Sequence, residues 1–399
     1  MSAPLLITPL KDICVKVVAA NFEGCPTFGP LPDKYVKRII DILPLDLPLE
    51  LVGTLISDED YWRRRSQARW KNCEVAAHGY SWKQLFFERN LQEFLEQYDP
   101  AVTDLSSLKR LLTYSRRFVQ TVHIRQLPSH LDLQILFDCM VNTPSSLAIS
   151  YNLKEVGMDY DRSLFGMKLS DCRSLAKALE HSETLTYLDL SNNSLDDDKA
   201  GTPGWGGSVR MLASGLVENL SITHLNLSHN KIADRGVRAL AKLLDGHSVI
   251  SLLELHDNQI HTEGAKSLAR AFKNNRCLLS VNLRLNRMGD EGCKAVVESV
   301  RTAPTLERLN ISANAAGPGT AAAVVALLRL NNTVTELDLS CNHYGEEPCS
   351  AVRRALEQNA SVRLLDMRMT GINPDDELAI TENLRARQER VDKAKVLGK

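Results

Sequence analysis

Beyond about residue 118, two hydrophobic rhythms take turns. Ile222, Leu225 and Leu227 stand against His224, Asn226 and Ser228, an alternation that predicts a short strand with one buried face. Val237, Leu240, Leu243 and Leu244 then recur at helical spacing. An asparagine separates the two rhythms. The string L-x-x-L-x-L-x-x-N closes on Asn193, Asn230, Asn258, Asn286, Asn314 and Asn342, and a degraded copy (Val362, Leu365, Met367) closes on Thr370. After Asn230 every step is 28 residues, whereas the first is 37.

Each unit is one strand and one helix, too small to bury its own core, so neighbours must stack. Helices are wider than the strand spacing of about 4.8 Å, so the stack must bend. The predicted fold is an α/β leucine-rich-repeat horseshoe, and its 28-residue period resembles the ribonuclease-inhibitor type. The six asparagines are expected to form a structural ladder, each side chain bonding the neighbouring turn. Gly236, Gly264 and Gly292 lie six residues after their Asn, where the chain is expected to turn into the helix. Thr320 and Pro348 replace that glycine later, so those turns are expected to differ. Leu240, Leu268, Val296, Val324 and Val352, with Leu244, Phe272, Val300, Leu328 and Leu356, mark one helical face.

The ends of such an array expose apolar surface and need caps. Val119, Val122 and Ile124, then Leu147 and Ile149 with Asn152, predict two irregular leading repeats, the second with a longer loop over Gly157 to Phe165. The first long step holds a glycine-rich insertion, Gly201 to Gly207, with Trp205 as a contact residue. Asn373-Pro374-Asp375-Asp376-Glu377 reads as a helix start: an Asn cap, Pro in the first turn, and acids at the positive dipole end. Leu378, Leu384 and Val391 give that helix a sparse apolar stripe, suited to a cap or a docking helix.

Residues 1–117 do not repeat. Leu31-Pro32 opens one helical pattern (Val36, Ile39, Ile40, Leu43) and Leu47-Pro48 another (Leu51, Val52, Leu55, Ile56). A basic aromatic run from Tyr61 to Lys71 follows, then Trp82, Leu85, Phe86 and Phe87. The order Leu-Pro, helix, helix with Trp and Arg, then Trp-Lys-x-Leu resembles an F-box. The expected division is thus an all-helical, F-box-like domain over 1–117, a repeat solenoid over 118–371, and a charged helix over 372–399.

Charge excludes some functions. The formal net charge is −1, with sixteen basic and fifteen acidic residues up to Arg117 and thirty-two against thirty-four beyond. Non-specific nucleic-acid binding needs a basic excess that neither part has, so no nucleic-acid partner is expected. The basic run at Tyr61 to Lys71 is read as a solvated helix face with buried Trp. Nine scattered cysteines contain no C-x-x-C pair, so zinc is not expected, and reduced thiols suit a cytosolic compartment. No apolar run approaches a membrane span, no secretory leader is evident, and no membrane partner is expected.

Candidate chemistry is equally thin. Asp196-Asp197-Asp198 points three ways on any regular element and reads as a turn. Gly201 to Gly207 lacks the Lys-Ser/Thr of a phosphate-binding loop. His224, His229 and His256 lie on neighbouring strands without a carboxylate–histidine motif. No nucleophile–base motif appears. No enzyme activity, catalytic residue, cofactor or metal is therefore expected.

The predicted concave face is more informative. Its central column is Asp189, Asn226, Glu254, Asn282, Asn310, Asp338 and Asp366, and the next is Ser191, Ser228, His256, Arg284, Ser312, Ser340 and Arg368. Either these keep a sheet wet, or they form a polar groove for a protein segment, with Arg284 and Arg368 as anchors. Asn226, Glu254, His256, Asn282, Arg284, Asn310, Asp338 and Arg368 are the partner-binding candidates.

The stretch Tyr61-Trp62, Arg69-Trp70, Cys73, Val75-Ala76, His78-Gly79, Ser81-Trp82-Lys83 and Phe86-Phe87-Glu88-Arg89 resembles the testis-expressed t-complex leucine-rich-repeat family of the axonemal nexin-dynein regulatory complex. Gly157-Met158, Asp171-Cys172, Leu283-Arg284-Leu285-Asn286 and Leu339-Ser340-Cys341-Asn342 extend the likeness across residues 31–371. The resemblance implies a non-enzymatic scaffold in the cytoskeleton of motile cilia and flagella, part of the link that joins outer doublets and regulates dynein-driven sliding. Implied partners are other complex subunits, both coiled-coil and leucine-rich-repeat members, with doublet microtubules or inner dynein arms as further candidates. Two alternatives remain at this stage: an F-box and leucine-rich-repeat substrate adaptor of a ubiquitin ligase, and a GTPase activator, since one such family shares the repeat type.

Overall fold

The computed structural model describes residues 9–141, 143–152, 165–197, 207–245 and 248–396, with side chains placed as far as residue 390. The loop at 157–164, Asp198 and the insertion from Gly201 to Gly206, including Trp205, lie outside the described residues. The chain divides into two compact units, residues 1–95 with 100–122, and residues 96–99 with 123–399.

The first unit is helical: α1 (Leu10–Ala20), α2 (Asp33–Ile40), α3 (Leu49–Leu55), α4 (Glu59–Arg69), α5 (Trp82–Glu96) and α6 (Leu105–Ser115). Pro32 and Pro48 stand just ahead of α2 and α3, where a missing N–H leaves no helical bond unmade. Asp58 caps α4 by accepting the Tyr61 N–H at 2.9 Å. Trp62 is fully buried against Phe86 and Phe87, with ring centroids 5.4 and 5.3 Å away, and its indole donates to the Ile56 carbonyl at 3.0 Å.

The basic run on α4 is a solvated face only in part: Arg63 and Arg69 are exposed and Trp62 and Trp70 are buried, as expected, but the other two arginines turn inward. Arg65 is buried and donates to the Leu47 carbonyl at 2.7 Å, over the Phe86 ring. Arg64 donates to the Ile40 carbonyl at 2.8 Å. Arg69 binds Asn90 and Glu93, both at 2.7 Å. The guanidinium groups satisfy a carbonyl at the end of α2, a loop carbonyl ahead of α3, and side chains of α5, which is why Arg rather than Lys recurs here. Glu88 is a buried carboxylate. It accepts the backbone N–H groups of Gln120 and Thr121 at 2.8 and 2.7 Å and the Gln84 amide at 2.9 Å.

The second unit alternates strands and helices: β1 (Thr121–Ile124), α7 (Leu133–Cys139), β2 (Ser146–Ile149), α8 (Leu169–Glu180), β3 (Tyr187–Asp189), α9 (Ser208–Leu216), β4 (His224–Asn226), α10 (Asp234–Asp245), β5 (Leu252–Glu254), α11 (Thr262–Asn274), β6 (Ser280–Asn282), α12 (Gly289–Val300), β7 (Arg308–Asn310), α13 (Pro318–Leu330), β8 (Glu336–Asp338), α14 (Glu346–Gln358), β9 (Leu364–Asp366) and α15 (Pro374–Val396). The sheet order follows the chain from β1 to β9, and the pairs from β2 onward are parallel. The register is fixed by one leucine position: Leu188, Leu225, Leu253, Val281, Leu309, Leu337 and Leu365 lie side by side. All seven are buried, as are both predicted helix columns. Each such side chain contributes roughly 1.5–3 kcal/mol.

Two asparagine ladders hold the repeats together. In the first, predicted set, the Asn286 amide donates to the Leu255 carbonyl of the preceding repeat at 2.9 Å and to its own Leu283 carbonyl at 3.0 Å, while its oxygen accepts the Ile260 N–H at 3.1 Å. Asn193, Asn230, Asn258 and Asn342 likewise bind the repeat before them. Asn314 departs from this. Its amide donates to the Leu283 carbonyl at 2.8 Å, but its buried oxygen has no partner among the described residues. There the Gly289 N–H, at φ +65°, instead reaches the Asn314 carbonyl at 3.0 Å.

A second ladder was not anticipated. Asn219, Asn275, Asn331 and Asn359 are buried at the opposite edge, between each helix and the next strand. Their amides donate to Leu179, Leu244, Val300 and Leu328, at 2.7, 2.8, 3.2 and 2.9 Å. These are last-turn carbonyls of the preceding helix, which no intrahelical N–H can reach. Each Asn oxygen accepts the next two available N–H groups, as at Cys277 and Leu278 (2.8 and 2.7 Å).

The glycine expectation needs correcting. Gly236, Gly264 and Gly292 stand inside the first helical turn, not in a turn before it. They are glycine because the preceding repeat comes close: a Cβ on Gly236 would meet Asp197 Oδ1 at 2.4 Å, and one on Gly264 would meet Asp234 Oδ1 at 2.5 Å. Those carboxylates cap the next helix from outside it. Asp197 accepts the Ala233 and Arg235 N–H groups at 2.9 and 2.8 Å. Asp290 accepts from Gly317, Gly319 and Thr320 at 2.9, 3.0 and 2.7 Å. The hydroxyl of Thr320, in the glycine position, donates to the same carboxylate at 2.7 Å. Burial raises the Asp290 pKa, but the Thr320 and backbone donors outweigh it and hold it below the usual range.

α15 begins with Asn373 accepting the Asp376 N–H at 2.8 Å. Asp376 pairs with Arg353 of α14 at 2.6 Å, and Arg387 donates to the Val362 carbonyl at 2.9 Å. The helix therefore covers the last repeat. The apolar contact is Ile380, which is buried, with Leu384 half-buried one turn on; of the predicted stripe, Leu378 is exposed and stands off that face. The Val391 side chain lies outside the described residues.

Candidate partner-binding face

The strands put three columns of side chains on the face opposite the helices. The predicted central column is in strict register: Asp189, Asn226, Glu254, Asn282, Asn310, Asp338 and Asp366 pair in order from β3 to β9. All are half-buried. Most have a local duty that the sequence did not reveal. The side-chain oxygens of Asp189, Asn226, Asn282, Asn310, Asp338 and Asp366 accept the N–H two residues on, at 2.8–3.1 Å. This local bond ends the strand. Glu254 alone lacks it; its carboxylate meets His256 Nδ1 at 3.1 Å. Neighbours also tie sideways, Asn226 to Asp189 at 3.0 Å and Asn310 to Asp338 at 2.8 Å.

The second column is less open than expected. Ser228 and Ser312 are buried, and their hydroxyls donate to Asn226 and Asn310 at 2.7 Å. Arg368 is exposed, but its guanidinium grips Asp366 through both carboxylate oxygens at 3.0 Å. That pairing lowers the Asp366 pKa and raises that of Arg368. Arg284 is exposed, and among the described residues its guanidinium has no side-chain partner. Of the two expected anchors, only Arg284 is unengaged.

A third column, of which the sequence reading had only His224, completes the face: Tyr187, His224, Leu252, Ser280, Arg308, Glu336 and Leu364. Its members lie two residues before the central column, so strand alternation alone could have found them. Arg308 and Glu336, with Glu254, Asn282, Asn310, Asp338 and Leu364, line a shallow depression of about 240 Å³. His229 and His256 meet edge-on with ring centroids 4.8 Å apart, and His229 Nδ1 lies 2.6 Å from Asp257. Among the described residues, no three histidine, cysteine or carboxylate side chains converge to hold a metal ion. Burial pushes the Cys172 and Cys293 thiols up to about 12, which makes them poor nucleophiles. No described helix is long and apolar enough to cross a membrane.

Equal strand–helix units, stacked through a parallel sheet and pinned by asparagines, define a leucine-rich-repeat fold. The Leucine Rich repeat family model matches residues 181–198, 218–241, 250–269, 274–297 and 330–343. Over 199 residues the chain is 94% identical to dynein regulatory complex subunit 5 of Chlamydomonas reinhardtii, covering 50% of this chain and 51% of that protein. It is 33% identical over 267 residues to the proteins of the same name from Mus musculus and Homo sapiens, covering 60% of this chain and 52% of each. The chain is similar to these proteins and spans about half the length of the curated relatives it matches.

Proposed function

We propose that this chain is a non-enzymatic scaffold subunit of the nexin-dynein regulatory complex. It acts in the axoneme of motile cilia or flagella, where the complex links outer doublets and regulates dynein-driven sliding. The observation that carries this reading is the 94% identity to the Chlamydomonas subunit. The register-locked sheet supports it, since a rigid face loses little conformational entropy on binding.

The partners are other subunits of the complex, coiled-coil and leucine-rich-repeat members among them, with doublet microtubules and inner dynein arms as further contacts. Glu254, His256, Arg284, Arg308 and Glu336 form the part of the sheet face that reads a partner. Asn226, Asn282, Asn310, Asp338 and Arg368 shape that face while bonding one another and their own turns.

A tagged copy in a ciliated cell tests the assignment. Signal along the axoneme is the expected result, and diffuse signal with none on the axoneme overturns it. Arg284→Glu combined with Arg308→Glu should weaken axonemal retention without changing thermal stability. A pull-down of the ligase linker protein by the full chain should be negative; capture would favour the F-box adaptor.

A further inference from the structure

The balanced net charge conceals one segregated face. Lys109, Arg110, Arg116 and Arg117 lie along and just beyond α6 at offsets that bring them to one side of the helix. Arg116 continues the helical conformation, with φ −50° and ψ −28°. No Asp or Glu occurs from Leu105 to Arg117. None of the four cations makes an ion pair among the described residues. On α4, by contrast, Arg63 and Arg69 are paired with acids at 2.8 and 2.7 Å.

Helix-dipole stabilisation accounts for cations in a last turn, so it covers Arg116 and Arg117. It does not account for Lys109 and Arg110, which stand in the middle of the helix. The four residues, with Thr113 and Tyr114, line a shallow depression of about 460 Å³. Tyr114 is held there by its hydroxyl, which donates to the Leu49 carbonyl at 2.8 Å.

We infer that this face of α6 docks an acidic, extended protein segment, separate from the sheet face. Lys109 to Arg117 spans about 12 Å at the helical rise, the length of roughly four extended residues. Charge complementarity is therefore met by a short run of Asp and Glu. Nucleic acid fits less well, because tight phosphate binding engages roughly six to ten contacts. An anionic bilayer also fits less well: the exposed apolar side chains at the head of the helix are Val102 and Leu105, too few to insert as an amphipathic face. The inference rests on the chemistry of α6 and not on the axonemal assignment.

The test is fluorescence anisotropy of a labelled octaglutamate peptide against the full chain at low ionic strength. The wild type should bind, and a combined K109E, R110E, R116E and R117E variant should bind about tenfold or more weakly. A control, R238E with K242E on the exposed face of α10, should bind as the wild type does. Circular dichroism checks that each variant is folded; if the fourfold variant is not, K109Q with R110Q should still weaken binding about threefold. Absence of wild-type binding, or equal binding by the α6 variants, overturns the inference. So does an equal loss in the α10 control. Tighter α6-dependent binding of oligouridylate or phosphatidylserine vesicles would assign the face to phosphate polyanions instead.

Discussion

The two edges of the repeat array solve one problem differently. Along the edge that follows each strand, an asparagine stands in every repeat from Asn193 to Asn342, tying one turn to the turn before. Along the edge that follows each helix, Asn219, Asn275, Asn331 and Asn359 tie helix ends to the next unit; at the two other positions of this spacing stand Ala303 and His247, the latter outside the described residues. The first edge has no intrahelical alternative, because its strands end in tight turns whose backbone groups face inward. The second has neighbouring hydroxyls that tie the repeats at other carbonyls: Thr305, two residues after Ala303, donates to the Leu278 carbonyl of the preceding repeat at 2.8 Å. Regularity is thus strict where a buried group has one possible partner and loose where several are available.

The contrast can be broken most severely at Asn286. Asn286→Ala leaves the buried Ile260 N–H without its acceptor and takes one of two amide donors from each of the Leu255 and Leu283 carbonyls, and should cost about 3 kcal/mol in urea unfolding. Asn314→Ala should cost less, because its oxygen already accepts nothing; equal losses would contradict the described difference. Asn331→Ala, at the second edge, should cost about 2 kcal/mol, since solvent and Thr333 can partly replace it.

Asp290→Asn should cost about 1 kcal/mol, as the loss of a charged cap. Its pH dependence fixes the sign. The folded pKa is depressed, so the stabilisation is complete above the unfolded value near 4 and is lost as pH falls through the folded value. Wild-type stability should therefore decline more steeply below about pH 4 than that of the variant. The smallest expected effect is a gain. Ala303→Asn should restore a rung to the Phe272 carbonyl and stabilise by about 0.5–1 kcal/mol, read as a higher thermal midpoint.

These residues also explain what the sequence disclosed. The leucine columns and the first ladder were legible because each residue answers to its own repeat, and the repeat recurs. Asp197, Asp234 and Asp290 were not, because each acts on a helix in the following repeat, and its role appears only when units are stacked. The second ladder was hidden by the non-asparagines His247 and Ala303 in its spacing and by lying outside the leucine string. Ile380 was missed in favour of Leu378 because a sparsely apolar helix does not specify its buried side; the surface beneath it decides. On the sheet face, the central column was placed correctly, but counting polar positions could not show how many were already bonded to their own turns. Arg368 and Arg284 look alike in the sequence, and only the Asp366 carboxylate separates them.

Paired ladders also govern how the array bears a pull. Its strands lie across the stacking direction, so tension applied end to end loads the hydrogen bonds between repeats lengthwise. With both margins stitched, a gap cannot start at one side and run; the seam must give way at both together. Among the described residues it is Ala303 that leaves a stitch out, and there the stretched array would part first.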